Sequence, residues 1–314
     1  MKRPLRHSFT TMGTVVTLIA PRKTGERTFR SAAAKVERVF RREDLRFSRF
    51  RPDSELSRVN AGSGRWVEVS RPFAVLTERS LRAAEETDGL FDPTVLPALA
   101  AAGYDRDWAE VEARGDDEDE DLAAIRRDFA ALMIKHSTAC GAWREIELDG
   151  TNLRIPDGAA LDFGGIAKGW TVDRAVGQLP NLPWAVVNAG GDLRVGGTPP
   201  RGGLEVGIED PHDASVEALR LGLSAGALAT TSVTVRAWGH GNHHVIDPRT
   251  SLPAMTEVVQ ATVWAATCAD AEVWSKAALL RGPDILDRVS ASLVLAGGEV
   301  VTNLPVPDDE QVPA

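Results

Sequence analysis

Cysteine is almost absent from this sequence: Cys140 and Cys268 are the only two in 314 residues. A pair of cysteines cannot build the disulfide framework on which many small secreted proteins depend. Long apolar runs are missing as well, since no stretch approaches the roughly 20 apolar residues that a membrane-spanning helix needs. Residues 1–10 carry basic side chains but lack the apolar core of a signal peptide. The sequence therefore predicts a soluble cytoplasmic protein without membrane insertion.

Net positive charge is also missing, because the chain carries a formal charge of −9. This balance argues against nonspecific binding to nucleic acid or anionic membranes, although a local basic pocket remains compatible with it. Hydrophobic residues make up 43% of the sequence, enough for a sizeable core in one large or two moderate domains. No internal repeat and no obvious linker divides the chain.

Hydrophobic periodicity predicts a mixture of strands and helices. The predicted strands are Val15–Ala20, Asn152–Pro156, Trp184–Asn188, Leu193–Gly197, Leu204–Glu209, Ala218–Leu223, Ser232–Ala237, Thr256–Ala265, Ser292–Leu295 and Glu299–Asn303. The predicted helices are Thr28–Arg42, Arg71–Thr87, Ala269–Leu280 and a helix that starts at Ala167. Because strands and helices do not alternate strictly, the pattern favours an α+β fold over a doubly wound sheet.

The segment Leu161–Trp170, LDFGGIAKGW, joins an extended run to the start of a predicted helix. Three of its glycines fall within six residues, and Lys168 lies between the second and the third. Glycine lets backbone approach a ligand closely, and a helix N-terminus offers free N–H groups and partial positive charge. The segment therefore suits a phosphate or pyrophosphate, although it is neither a P-loop nor a dinucleotide fingerprint. Taken alone, it is more simply a glycine turn with a surface lysine.

Three further segments allow both a functional and a structural interpretation. The segment 46–60 contains four arginines, three serines and Asn60, which could hold a polar ligand, although a solvated loop is simpler. Gly190 and Gly191 follow a predicted strand, as a bulge or as a second place where backbone meets ligand. The acidic run 115–121 lacks the spacing and central glycine of an EF-hand loop, so a mobile surface loop is favoured over a calcium site.

Three of the six histidines lie between His240 and His244. Zinc is disfavoured there, because the adjacent His243 and His244 share a metal poorly and no second Cys/His cluster supplies further ligands. His244 lies three residues before Asp247. A histidine can take up a proton near neutral pH and a nearby carboxylate can orient it, so this pair is a candidate for acid–base chemistry. Surface histidines beside a turn are the alternative.

A series of short motifs occurs along nearly the whole chain. They are Met12-Gly-Thr, Phe47-Ser, Ser54-Glu-Leu-Ser, Thr87-Asp-Gly-Leu-Phe-Asp-Pro-Thr, Leu161-Asp-Phe-Gly-Gly-Ile-Ala-Lys-Gly, Val187-Asn-Ala-Gly-Gly-Asp, Ala229-Thr and His244-Val-Ile-Asp-Pro-Arg-Thr. Each motif alone is unspecific, but the ordered set over residues 8–303 resembles the FAD:protein FMN transferases, also called the ApbE-like thiamine-biosynthesis lipoproteins.

The resemblance implies a fold and a reaction. The fold is a T-fold-like α+β architecture with mixed or antiparallel sheets, and the flavin site lies between two lobes. We therefore expect a single domain over residues 1–304, with an uncertain boundary between the lobes, and a disordered tail over 305–314. The reaction cleaves the pyrophosphate of FAD, places FMN on a Thr or Ser hydroxyl of an acceptor protein as a phosphoester, and releases AMP. FAD, Mg²⁺ and an acceptor protein are the implied partners.

Matching the motifs implies roles for individual residues. His244 is the expected base, Asp247 its orienting partner, and Lys168 a phosphate-binding cation. The residues expected around FAD are Met12, Ser48, Asn60, Phe91, Asp92, Asp162, Gly164, Gly165, Lys168, Gly169, Asn188, Gly190, Gly191 and Thr250.

The chain departs from the family pattern in three places. It has neither the signal nor the lipid-anchor cysteine of exported members. Thr231-Ser232 and Arg236 stand where the family commonly has a Ser-Gly pair and an aromatic residue, which affects the expected isoalloxazine pocket. In the late helix, the family's magnesium-binding pattern Ala-Asp-Ala-x-x-Thr is replaced by ADAEVWSK, residues 269–276.

The altered helix leaves a weakened set of expected metal ligands: Ala167, Asp270 and Glu272. Lys276 replaces the family's Thr, and a protonated lysine has no lone pair and repels a cation. We therefore expect a weaker magnesium requirement. The alternatives to FMN transfer are a noncatalytic FAD-binding protein and an FAD pyrophosphatase that yields FMN and AMP. Intact His244 and Asp247 favour chemistry, whereas the altered helix favours storage.

Overall fold

The structure, a computed structural model, describes residues 3–113, 140–238 and 242–305. It is an α+β fold, as the sequence predicts. The acidic run 115–121, His240 and nearly all of the predicted tail 305–314 lie outside the described residues. Within the described ranges, every helix is too short or too polar to cross a membrane.

The strands of the described ranges are numbered in chain order. They are β1 (Leu5–Thr11), β2 (Thr14–Ala20), β3 (Trp66–Glu68), β4 (Glu147–Asp149), β5 (Asn152–Arg154), β6 (Trp184–Ala189), β7 (Asp192–Gly197), β8 (Leu204–Glu209), β9 (Glu217–Leu223), β10 (Ala227–Ser232), β11 (Ala237–Trp238), β12 (Asn242–His243), β13 (Ile246–Asp247), β14 (Leu252–Pro253), β15 (Val258–Ala265), β16 (Ser290–Leu295) and β17 (Val300–Thr302).

Eight strands form one antiparallel sheet in the order β1-β2-β6-β7-β10-β15-β16-β17. Strands β3, β5 and β4 form a small three-stranded sheet, and the remaining strands pair as hairpins, β8 with β9, β11 with β12 and β13 with β14. The sheets are therefore antiparallel throughout the described chain.

The helices are α1 (Glu26–Phe47), α2 (Glu55–Ala61), α3 (Arg71–Glu86), α4 (Leu96–Ala101), α5 (Trp108–Glu112), α6 (Ala167–Val176) and α7 (Cys268–Arg281), with short 3₁₀ turns at Arg22–Thr24, Ala142–Glu145 and Pro283–Asp287. Helix α7 packs on β10 and β15 and also against α6. Its apolar residues enter three different hydrophobic cores, so the helix joins the main sheet to the core that contains α3 and the Leu161–Trp170 segment.

Three phenylalanines anchor the Leu161–Trp170 segment. The ring of Phe163 meets the rings of Phe47 and Phe73 edge-to-face, with centroids 5.7 Å and 5.3 Å apart. Such pairs add about 0.5–1.5 kcal/mol each beyond the area that they bury. The end of α1 and the first turn of α3 therefore fix the backbone just before the turn at Gly164 and Gly165. This turn is called the glycine turn below.

Two tight turns of the main sheet need positive φ. Gly190 and Gly191, at +65° and +98°, connect β6 to β7, and a Cβ on Gly190 would lie 2.2 Å from Thr14 Oγ1. The glycine pair is thus a hairpin turn rather than a bulge. Met12 and Gly13 connect β1 to β2 in the same way, and Met12 has a φ of +50°. Positive φ in a residue other than glycine is a strained conformation that commonly marks a functional position.

The predicted strand Ser232–Ala237 is wrong. The strand is β10, Ala227–Ser232, and the following residues 233–236 form turns. Strand β10 lies between β7 and β15 with both faces covered, so its small residues show no alternation, whereas the β-branched residues that follow imitate a strand. The sequence also gave no prediction for β1, and α1 extends five residues past the predicted end at Arg42, to Phe47.

Candidate functional site

A cavity of about 470 Å³ lies where the β1–β2 turn, the end of α1, the glycine turn and α7 meet. The sequence-predicted residues that line it are Met12, Ser48, Phe91, Asp92, Asp162, Gly164, Gly165, Ala167, Lys168, His244 and Lys276. The predicted residues outside its lining are Asn60, Gly169, Asn188, Gly190, Gly191, Asp247, Thr250, Asp270 and Glu272. The structure thus brings motifs from both ends of the sequence to one cavity.

The glycine turn forms one wall. A Cβ on Gly165 would lie 2.9 Å from the Phe91 ring and 3.2 Å from the Lys276 side chain, so glycine alone fits there. The Gly164 N–H donates to the carboxylate of Asp162, and Asp162 also forms an ion pair with Arg49 at 3.3 Å. The turn is therefore held by the protein's own side chains before any ligand binds.

Several predicted residues support the cavity without facing it. Asn60 accepts a hydrogen bond from the Leu161 N–H at 2.8 Å and donates to the Leu161 carbonyl at 2.9 Å. Asn188 accepts the Gly191 N–H at 2.9 Å and so stabilises the β6–β7 turn. A Cβ on Gly169 would lie 2.4 Å from the Cys268 carbonyl, so this glycine permits the close packing of α6 on α7.

Two lysines and two carboxylates form a buried network beside the turn. Lys168 pairs with Asp192 and, at 2.5 Å, with Glu272, which also accepts the Gly169 N–H at 2.8 Å. Burial alone would lower the pKa of Lys168, but the two carboxylates outweigh burial and raise it. Lys276 lies 3.7 Å from the Glu272 carboxylate. Burial lowers the pKa of Lys276, against the opposing attraction of Glu272.

His244 also lines the cavity, in the connection between β12 and β13. Its Nδ1 is buried and has no hydrogen-bond partner among the described residues. Burial lowers the pKa of His244 well below its usual value of about 6.5, and the positive charges of Arg236 and Lys276 lower it further. The imidazole is therefore neutral at physiological pH, the state in which it can accept a proton.

Asp247 does not orient His244 in this structure. Its carboxylate accepts three hydrogen bonds from the Arg249 side chain, at 2.9 Å, 3.1 Å and 2.7 Å, and one from the Arg249 N–H at 2.9 Å. A fork of this kind satisfies the carboxylate within its own turn, because the arginine lies only two residues away. Thr250 is exposed and belongs to the same turn.

Aromatic side chains also line the cavity, and the sequence did not predict this aromatic wall. The Arg49 guanidinium contacts the rings of both Phe50 and Tyr104, 4.4 Å from each centroid. Arg236 donates to the Tyr104 hydroxyl at 3.2 Å and to the Gly13 carbonyl at 3.0 Å. Tyr104 is the single tyrosine of the chain, which is the one signal that could have singled it out.

The expected metal ligands do not fit a magnesium site. Asp270 lies at the first turn of α7, where it accepts the Thr267 hydroxyl at 2.6 Å and pairs with Arg79. Glu272 is wholly buried and already bound by Lys168 and Gly169. Among the described residues no group of three or more His, Cys, Asp or Glu side chains is arranged to hold a metal ion. Magnesium is commonly held by only one or two carboxylates together with waters and phosphates. Here both oxygens of Asp270 and both oxygens of Glu272 already accept from protein donors, and the Ala167 carbonyl accepts the Thr171 hydroxyl at 2.6 Å.

This chain is similar to known proteins over most of its length. The sequence profile of the ApbE family matches residues 12–300. The chain belongs to the ApbE family. It is 30% identical over 288 residues to the FAD:protein FMN transferase of Treponema pallidum, covering 85% of this chain and 76% of that protein. It is 29% identical over 293 residues to the FAD:protein FMN transferase of Vibrio cholerae, covering 87% of this chain and 80% of that protein.

Solved structures show the same fold. The crystal structure of the ApbE protein from Thermotoga maritima matches with a TM-score of 0.78 and 25% identity, over 96% of this chain and 97% of that chain. The apo form of the flavinyl transferase ApbE from Pseudomonas stutzeri matches with a TM-score of 0.75 and 20% identity, over 96% and 95% of the two chains. The fold implied by the sequence motifs is confirmed.

Proposed function

We propose that this protein transfers FMN from FAD to a threonine or serine hydroxyl of an acceptor protein and releases AMP. The observation that carries the proposal is the neutral His244 facing the same cavity as the glycine turn and Lys168. The names of the Treponema and Vibrio relatives support the same reaction.

The reaction has a simple balance. The acceptor hydroxyl oxygen attacks the phosphorus of the FMN half, and its proton goes to the imidazole of His244. The bond from that phosphorus to the oxygen bridging to AMP breaks, and AMP leaves with the electron pair. The product is a phosphoester between FMN and the acceptor. Such chemistry depends on positioning and on stabilising phosphate charge more than on covalent catalysis.

Each wall of the cavity has a part in this proposal. The glycine turn lets the pyrophosphate approach backbone closely, and Lys168 adds positive charge. The aromatic wall around Tyr104 offers flat surfaces for one of the two ring systems of FAD. No step is assigned to magnesium, because the residues in its expected place do not fit it. Asp247 takes no part in this reaction and stabilises its own turn. The cytoplasmic location stays a prediction.

The test uses the purified protein, FAD and a candidate flavin-acceptor domain. We expect the mass of the acceptor to increase by one FMN, with one AMP released for each FMN attached. Release of FMN and AMP at the same rate without acceptor would instead identify a pyrophosphatase. Bound FAD that stays intact in both mixtures would identify a binding protein.

A further inference from the structure

Lys276 reaches the cavity from α7, the helix that is packed in three hydrophobic cores. Its side chain is 19% exposed, and its aliphatic carbons lie beside Gly165. The ammonium group is therefore carried to the glycine turn on a rigid element. A surface lysine on a mobile helix face would not be fixed in this way.

The protein supplies only some of the hydrogen-bond acceptors and negative charge that the Lys276 ammonium group can use. The Glu272 carboxylate lies 2.5 Å from Lys168 Nζ but 3.7 Å from Lys276 Nζ, and Asp192 also pairs with Lys168. The single hydrogen bond of Lys276 Nζ within the described residues goes to the Glu272 backbone carbonyl, at 3.3 Å. An ammonium has three N–H donors, so two are left without a protein acceptor there.

A largely buried cation with unused donors is costly unless an anion completes it. The two lysines and two carboxylates of the network sum to zero charge, and all four groups are already close together. A divalent metal ion approaching Glu272 would meet both ammonium groups and would have to displace at least one. A phosphate oxygen entering from the cavity would instead complete the donors of Lys276.

We propose that Lys276 supplies the cation that meets the pyrophosphate of FAD, in place of a divalent metal ion. FAD binding and FMN transfer by this protein then need no magnesium. The proposal rests on the proposed function in one respect, that FAD occupies the cavity. It adds that the positively charged group in contact with the pyrophosphate is the Lys276 ammonium.

The test measures FAD binding to the full chain by the change in flavin fluorescence, in EDTA and in excess magnesium. We expect the wild-type dissociation constants in the two solutions to agree within about twofold. Lys276→Thr removes a charge-assisted hydrogen bond and should weaken FAD binding about 10-fold to 100-fold. Lys276→Arg should retain most of the affinity, because it keeps the charge and the donors.

Riboflavin and a distant lysine provide the controls. Riboflavin has no phosphate, so Lys276→Thr should leave its dissociation constant unchanged, whereas general damage to the cavity would weaken both ligands. Lys35→Thr, at an exposed position of α1, should match the wild type with both. Loss of wild-type FAD binding in EDTA with recovery in magnesium overturns the proposal. Equal FAD affinity in Lys276→Thr and Lys35→Thr overturns it too.

The same preparations separate this proposal from the proposed function. If the protein binds FAD in EDTA but never labels an acceptor, the result supports the role of Lys276 and contradicts the transfer reaction. A protein that labels the acceptor only when magnesium is present keeps the transfer reaction and contradicts the role of Lys276.

Discussion

Asn60 holds both backbone groups of Leu161, 101 residues further along the chain. Its Oδ1 accepts the Leu161 N–H at 2.8 Å, and its Nδ2 donates to the Leu161 carbonyl at 2.9 Å. The side chain thus completes the hydrogen bonds of Leu161 where the chain enters the glycine turn.

Replacing Asn60 by alanine leaves these two groups of the buried Leu161 unpaired. We expect a loss of about 1–3 kcal/mol in the free energy of unfolding, together with weaker FAD binding. Urea unfolding and flavin fluorescence measure the two effects. Asn181→Ala, at an exposed position, is the matched control. Unchanged unfolding and FAD binding in Asn60→Ala would remove this residue from the support of the site.

His244→Ala should abolish most of the FMN transfer while FAD binding survives. A positioned general base contributes roughly 10²–10⁴-fold in rate and little to ground-state affinity. Acceptor mass against time gives the rate, and flavin fluorescence gives the affinity. The exposed His212→Ala is the control and should transfer normally. Normal transfer by folded His244→Ala would show that another group accepts the proton.

The pH profile of transfer should reflect the lowered pKa of His244. The base acts when neutral, and burial together with Arg236, Lys276, His243 and Lys168 keeps its pKa well below 6.5. As pH falls, kcat/KM should therefore stay constant through 6.5 and decline only in more acidic solution. Initial rates at subsaturating FAD in buffers of constant ionic strength test this. A half-maximal point near 6.5 would mean that the histidine is solvated in the working enzyme.

Gly165→Ala should block the cavity without unfolding the protein. The added Cβ would lie 2.9 Å from the Phe91 ring, closer than side-chain carbons normally approach. We expect FAD affinity to fall at least about 10-fold, since a displaced Phe91 or Lys276 narrows the site. Gly297→Ala, whose Cβ would meet nothing within 4 Å, is the control. Equal FAD affinity in the two variants would place the ligand elsewhere.

Local patterns predicted much of the fold. Strand β8 matches its predicted bounds, Leu204–Glu209, and α3 ends one residue before its predicted end at Thr87. In both elements the spacing of the apolar residues follows the period of the element itself, so the local sequence is enough to predict it. The strand β10 was misplaced because burial on both faces removes the alternation on which such predictions depend.

The site was predictable only in part, for a different reason. The glycine turn and His244 lie in local motifs, and the structure places both at the cavity. The stack of Arg49 on Tyr104 joins residues 55 positions apart, and no local period reports such a contact. The pairing of Asp247 with Arg249 is local, yet sequence alone could not decide between that arginine and His244 as its partner.

Helix α7 carries residues of two kinds, those that pack in the hydrophobic cores and one that sets the charge of the cavity. Cys268, Ala271 and Val273 are buried in the cores, so changes in their volume carry a cost in stability. Lys276 belongs to none of these hydrophobic cores and opens onto the cavity, so a change there alters the charge of the cavity directly. A substitution at position 276 can therefore change whether the protein needs a divalent metal ion while the fold stays the same.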